Sequence, residues 1–278
     1  MTGEPRIEVL DDAEAASRAA AETLAQGLIG AVAERGRADW ATTGGSTPIG
    51  IYAALATEPL RPRVPWRNVH VWWGDDRYVP RDHPLSNVLP LDQVLLSAAA
   101  RAGLSGTGAD AAEVELGLEP GVALPVANIH APAMGKAIGA SAGPEAVARE
   151  YEQDLRAAGL PLAAGGFPVL DVILVGIGTE GHLFSVFPRS PLLDGDAWVS
   201  AVPAPTHIEP RVARISLNPR FLAAARLVLV VAHGAGKAEI LASLLGPERD
   251  ERRWPAQLAR REGAVWFLDR AAAASLPG

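Results

Sequence analysis

Two spacings of apolar residues alternate along the chain: short aliphatic runs of strand length, and longer segments in which apolar positions recur every three or four residues. Strands are predicted at 7–10, 40–43, 69–73, 170–175, 198–202, 211–217, 227–232 and 265–268. Between the first two lies an Ala-rich segment, 12–35, with Leu24, Leu28 and Val32 on one stripe and Asp11 or Asp12 placed to cap it. Further helices are predicted behind Ser46 or Thr47, with Pro48 in the first turn, and behind Asn87, with Leu91, Val94 and Leu95 inward. Others follow Pro144, the pair Asn218 and Pro219, Gly234, and Trp254. Strands and helices alternating in this way predict an α/β fold with a mostly parallel sheet flanked by helices. The run 170–175 has almost no polar position, so it reads as the central strand, buried on both faces.

In such a sheet, chemistry collects beyond the carboxyl ends of the strands. Three loops there hold suitable residues. After 40–43 comes Gly44, Gly45, Ser46, Thr47, a glycine turn opening a helix, where free N–H groups and the helix dipole suit an anion. It lacks the Lys and the spacing of a P-loop, and a plain capped turn explains it equally well at this stage. After 69–73 comes a dense polar stretch with Asp75, Asp76 and Arg77, either a solvated turn or a binding rim. Arg77 is singled out because a guanidinium can fork onto phosphate or onto a carboxylate of the site.

The central strand runs into Gly176, Gly178, Glu180, Gly181 and His182. A neutral His182 can take a proton from water as the water adds to an electrophilic carbon, with glycine N–H groups of 176–181 facing the developing oxyanion. The competing reading is a histidine that merely closes a turn. Glu180 is a poor partner for His182 on spacing alone, because residues two apart in an extended loop point to opposite sides. Ser185 follows three residues later without the G-x-S-x-G elbow of a serine nucleophile. Lys237 falls near a helix start, where a cation is disfavoured unless an anion lies beside it; an ordinary surface lysine is the alternative.

Composition narrows the field. The 278 residues contain no cysteine, which removes disulfides, thiolate metal sites and thiol nucleophiles. Their net charge of −7, with no basic block interleaved with aromatics, argues against a nucleic-acid partner. The start carries no basic segment followed by an apolar one, and no apolar run approaches the roughly 18 residues of a membrane span, so a cytoplasmic protein without a membrane partner is expected. None of the six histidines sits in a tight ligand pair, so no metal is expected. GIGTEG also lacks the helix face and the later acid of a dinucleotide site. The pattern weakens across 103–143. We therefore expect one domain over 1–278, or one with a modest subdomain at about 103–143, as a monomer or weak homo-oligomer.

Five stretches taken together resemble the 6-phosphogluconolactonase family and its relatives, the glucosamine-6-phosphate deaminases. They are TTGGSTP at 42–48, VHVWWGDDRYVPRDHPLSN at 69–87, DVILVGIGTEGHLFSVFP at 171–188, RISLNP at 214–219 and ARLVLVVAHGAGKAEIL at 225–241. The resemblance implies a modified Rossmann-like fold, no metal or other cofactor, and hydrolysis of a phosphorylated sugar lactone, 6-phospho-D-glucono-1,5-lactone, in the oxidative pentose phosphate pathway. It implies His182 as general base, Gly44, Gly45, Ser46 and Thr47 near the sugar phosphate, and Arg77 and Lys237 at the anion site. Arg214 matches a recurrent arginine that is grouped with these substrate- and phosphate-binding residues, its task less closely assigned. Two acids depart from the family pattern, Glu180 for an Asp and Asp76 for a Glu, each keeping the charge but changing its reach by one methylene. Where the deaminases continue toward Asn-Glu-Pro, this chain has Phe184, Ser185, Val186, Phe187 and Pro188, which favours a lactonase. The alternatives are a sugar-phosphate isomerase or deaminase, and a non-enzymatic sensor in which the two acidic departures disable the chemistry.

Overall fold

The computed structural model describes residues 3–104 and 121–276. Its strands are β1 (Arg6–Leu10), β2 (Ala38–Thr42), β3 (Val69–Trp73), β4 (Asp75–Arg77), β5 (Val172–Val175), β6 (Val199–Val202), β7 (Arg214–Leu217), β8 (Leu227–Ala232) and β9 (Ala264–Asp269). Its helices are α1 (Ala13–Arg35), α2 (Thr47–Leu55), α3 (Ala98–Leu104), α4 (Met134–Gly139), α5 (Pro144–Ala157), α6 (Arg220–Ala224) and α7 (Ala238–Leu245). Six strands form one parallel sheet in the order β1-β9-β8-β5-β2-β3, with β5 inside it as the apolar run predicted.

Alternation along each strand sorts its side chains to two cores. Val172 and Leu174 of β5, Leu229 and Val231 of β8, and Trp40 of β2 pack under α1 and α2. Ile173, Val175, Val228, Val230 and Trp266 point the other way, against α5, α6 and α7. Both faces of the central strands are thus covered by helices, which explains why those strands carry no polar alternation. α1 starts where predicted: Asp12 Oδ1 accepts from the Ala15 N–H at 2.8 Å.

A second, antiparallel sheet of order β4-β7-β6 was not legible in the sequence. The stretches expected at 198–202 and 211–217 pair with each other there, outside the strand–helix alternation. Asp75–Arg77 is itself a strand and not a solvated turn. The chain crosses between sheets at Gly74, whose N–H donates to Thr42 O in the first while its carbonyl accepts from Leu217 N in the second, at 2.9 and 2.8 Å.

Local expectations are corrected at three other places. Asn87 caps no helix, because 91–95 is a single wide turn and the Asn87 side chain is engaged elsewhere. Ser46 precedes α2 without a side-chain capping bond. The strand-like piece at 122–129 makes only isolated bridges, Leu96 with Val122 and Val71 with Ile129, although Val122 and Leu124 are buried. Within the stretch where a subdomain is expected, 105–120 lies outside the described residues.

Candidate active site

The carboxyl ends of β2, β5 and β8 open on one cavity of about 300 Å³, and β4 supplies a further wall. The turn Gly44, Gly45, Ser46, Thr47 lines it from β2, Gly178 and His182 from β5, Lys237 from β8, and Asp75 and Arg77 from β4. Asp76, Glu180, Gly181 and Arg214 do not line it; they stand behind residues that do. On β4 this follows from period two: Asp75 and Arg77 face the cavity, and Asp76 faces away.

His182 is held in a tight turn. Gly178 N donates to His182 O at 2.9 Å and Gly181 N to Gly178 O at 3.0 Å, so neither N–H is free to meet an oxyanion, contrary to expectation. Gly181 has φ of +87°, a conformation open to glycine, and it reverses the chain between its neighbours. Glu180 Oε1 consequently lies 2.8 Å from His182 Nδ1, overturning the expectation that the two diverge. A proton on Nδ1 shared with a carboxylate leaves Nε2 as the acceptor. The side chain of His182 is 20% exposed, enough to meet water. Burial raises the Glu180 pKa, but the hydrogen bond and charge of His182 outweigh it and hold the carboxyl below its usual range.

On the opposite wall, Arg77 Nη1 donates to Asn87 Oδ1 at 2.6 Å and to Leu85 O at 3.0 Å, while its buried Nε has no partner. Asn87 Nδ2 donates to the carbonyl oxygen and Oδ1 of Asp75 at 2.9 and 3.1 Å, and Asp75 Oδ2 accepts from Ser185 Oγ at 2.6 Å. Ser185 is fully buried and does not line the cavity, so its hydroxyl is not presented to a substrate as a nucleophile. Lys237 Nζ donates to Ile177 O at 2.6 Å, and burial lowers its pKa.

Arg214 stands opposite Arg77 across the β4–β7 pair. Burial lowers its pKa while the Asp75 charge opposes the change. Its Nη2 donates to Pro210 O at 2.9 Å, and its guanidinium lies 5.1 Å from the Phe187 ring centroid; that ring in turn is 5.0 Å from the His182 ring. Arg214 therefore reaches the histidine through Phe187.

Asn87 is a cavity-lining side chain that residue-level reading missed. Its signal was present in the closing Ser-Asn of the 69–87 stretch, but helix capping offered a local explanation and competed with it. Thr43 and His233 also line the cavity unforeseen.

Residues 11–267 match the family described as glucosamine-6-phosphate isomerases/6-phosphogluconolactonase. A 6-phosphogluconolactonase of Synechocystis sp. is 33% identical over 98% of this chain and 98% of its own. Another from Streptomyces coelicolor is 34% identical over 100% and 97%. The solved structure of 6-phosphogluconolactonase from Trypanosoma brucei superposes with a TM-score of 0.78 at 26% identity, covering 99% of this chain and 100% of that one.

Proposed function

The chain belongs to the glucosamine-6-phosphate isomerase/6-phosphogluconolactonase family, and we propose that within it this protein is a lactonase converting 6-phospho-D-glucono-1,5-lactone to 6-phosphogluconate. One observation carries the reading: a histidine oriented by a carboxylate shares a cavity with a glycine turn, an arginine and a lysine drawn from distant parts of the chain.

His182 Nε2 takes a proton from a water molecule as its oxygen bonds to the lactone carbonyl carbon. The resulting imidazolium is stabilised by Glu180, whose carboxylate is already committed to Nδ1. Collapse of the tetrahedral adduct breaks the bond between that carbon and the ring oxygen, and the imidazolium returns its proton to the departing oxygen as a hydroxyl. The new acid ionises on release, and histidine and carboxylate end as they began.

The phosphate supplies binding energy at a distance from the reacting carbon. Arg77, Lys237 and the N–H groups at the start of α2 form the cationic and donor face for it. Lys237 has three donors, and the bond to Ile177 O uses one.

The test is decay of freshly generated 6-phosphogluconolactone at fixed pH, with and without the protein. Accelerated loss above the spontaneous rate is expected. Equal decay, or release of ammonia from an amino-sugar phosphate instead, would overturn the assignment.

A further inference from the structure

Asp76 is nearly fully buried, points away from the cavity, and makes three contacts, one to its own strand and two to a single short turn. Oδ1 accepts from Arg77 N at 2.8 Å and from Asn87 N at 2.7 Å, and Oδ2 lies 3.4 Å from Ser86 Oγ. The carboxyl thereby staples the 85–87 turn to β4. What the turn carries faces the other way. Leu85 O and Asn87 Oδ1 are both acceptors for Arg77 Nη1, so they fix the guanidinium on the cavity wall. Asn87 also sits hard against the first glycine of the anion turn: a Cβ on Gly44 would fall 1.7 Å from Asn87 Oδ1. Two walls of the cavity, one from each sheet, meet at this asparagine.

We infer that Asp76 is a positioning residue for phosphate recognition, aiming Arg77 through the 85–87 turn and setting the spacing between Arg77 and the Gly44–Gly45 turn. The inference rests on the lactonase reading for its substrate, while the geometry it invokes lies within the protein. Without the carboxyl, two N–H groups would be stranded in the interior, and the turn would move to satisfy them. Arg77 would then lose two fixed acceptors, and a side chain as rotamer-rich as arginine would have to be ordered again by each substrate molecule.

A further consequence separates aiming from charge. One oxygen, Oδ1, serves both N–H groups, and a carboxylate, a carboxylic acid and an amide all present such an oxygen. Asp76→Asn should therefore preserve the staple, and Asp76→Ala should remove it.

The experiment is steady-state kinetics on the phosphorylated and unphosphorylated lactones with the whole chain, alongside calorimetric binding of 6-phosphogluconate and gluconate. Asp76→Ala is expected to raise KM for the phosphorylated lactone about tenfold or more with kcat within about threefold, and to narrow the preference for 6-phosphogluconate over gluconate equally. Asp76→Asn should restore KM to within about threefold of the parent. Asn87→Ala cuts the same connection at its far end, so it should copy the Asp76→Ala shift. The double variant should add little to either.

If Asp76→Ala does not fold, the Asn87→Ala and Asp76→Asn arms decide. The inference is overturned if Asp76→Asn behaves as Asp76→Ala, if kcat falls at unchanged KM, or if the two alanine effects add independently. Should the parent protein fail to accelerate lactone decay, the lactonase reading falls, and the binding preference for 6-phosphogluconate still tests the staple.

Discussion

His182 Nδ1 lies 2.8 Å from Glu180 Oε1 although a single residue separates them. The contact exists because Gly181 turns the chain back, with φ of +87°, and because Gly178 leaves room for the ring. Side chains that would diverge in extended backbone are thereby brought within hydrogen-bond distance, the arrangement the proposed general base requires. The longer Glu, in place of the Asp usual in this family, still meets the imidazole.

His182→Ala should lower turnover on the phosphorylated lactone by roughly 100-fold or more, the scale of losing a positioned proton acceptor. Glu180→Ala should lower kcat by about tenfold or more while leaving KM nearly unchanged, because the carboxylate does not line the cavity. Initial rates corrected for spontaneous hydrolysis measure both. An unaltered enzymatic rate in His182→Ala would remove it as the base.

Gly178→Ala tests the seating of the ring. The added Cβ would lie 2.0 Å from His182 Nδ1 and 2.7 Å from Glu180 Oε2, so the imidazole must shift. A displacement of about 1 Å at the reacting group costs on the order of 100-fold in rate. We expect kcat to fall by that order with affinity for 6-phosphogluconate retained. Parent-like kcat would show that the ring tolerates the movement.

The parallel sheet was legible because strands buried on both faces leave continuous apolar runs, as 170–175 and 227–232 do. Site loops were legible where they follow such runs directly, at Gly44–Thr47 and Gly176–His182. The antiparallel sheet was not. Asp75–Arg77 is a strand of three charged residues, with no apolar alternation, and its pairing with Arg214–Leu217 spans a separation no local pattern reports. Asn87 was obscured for a related reason: its partners Arg77 and Asp75 lie ten and twelve positions earlier, while a helix-like run directly behind it offered a local role. The contact between Glu180 and His182 depended on one backbone angle at Gly181, a detail that residue spacing does not specify.

Arg77 and Lys237 should separate by kinetic signature. Arg77→Ala is expected to weaken affinity for the phosphorylated lactone at least tenfold more than for the unphosphorylated one, because its partners are themselves polar side-chain and backbone groups of the anion wall. Lys237→Ala should show the same preference and lower kcat as well, since Nζ also ties down Ile177 O in the loop that carries His182. Equal losses on both substrates would remove the phosphate role from either residue.

The Asp76 staple also makes a prediction about stability. Burial pushes the Asp76 pKa up to about 7 from 3.8; the N–H bonds from Asn87 and Arg77 oppose this, Asp75 adds to it, and the Arg77 charge opposes it. Tyr151 faces the same charge, and its hydroxyl is held neutral by burial. Because the folded state holds this proton more tightly than the unfolded chain, it binds more protons between about pH 4 and pH 7, and stability from this group falls as pH rises through that window. Other carboxylates titrate too, so the informative quantity is the difference between the parent and Asp76→Asn, which keeps the staple and cannot ionise. Denaturant melts from pH 5 to pH 8 should show the parent losing up to a few kcal/mol relative to Asp76→Asn as pH increases. A difference independent of pH would mean that Asp76 does not change its protonation in this range.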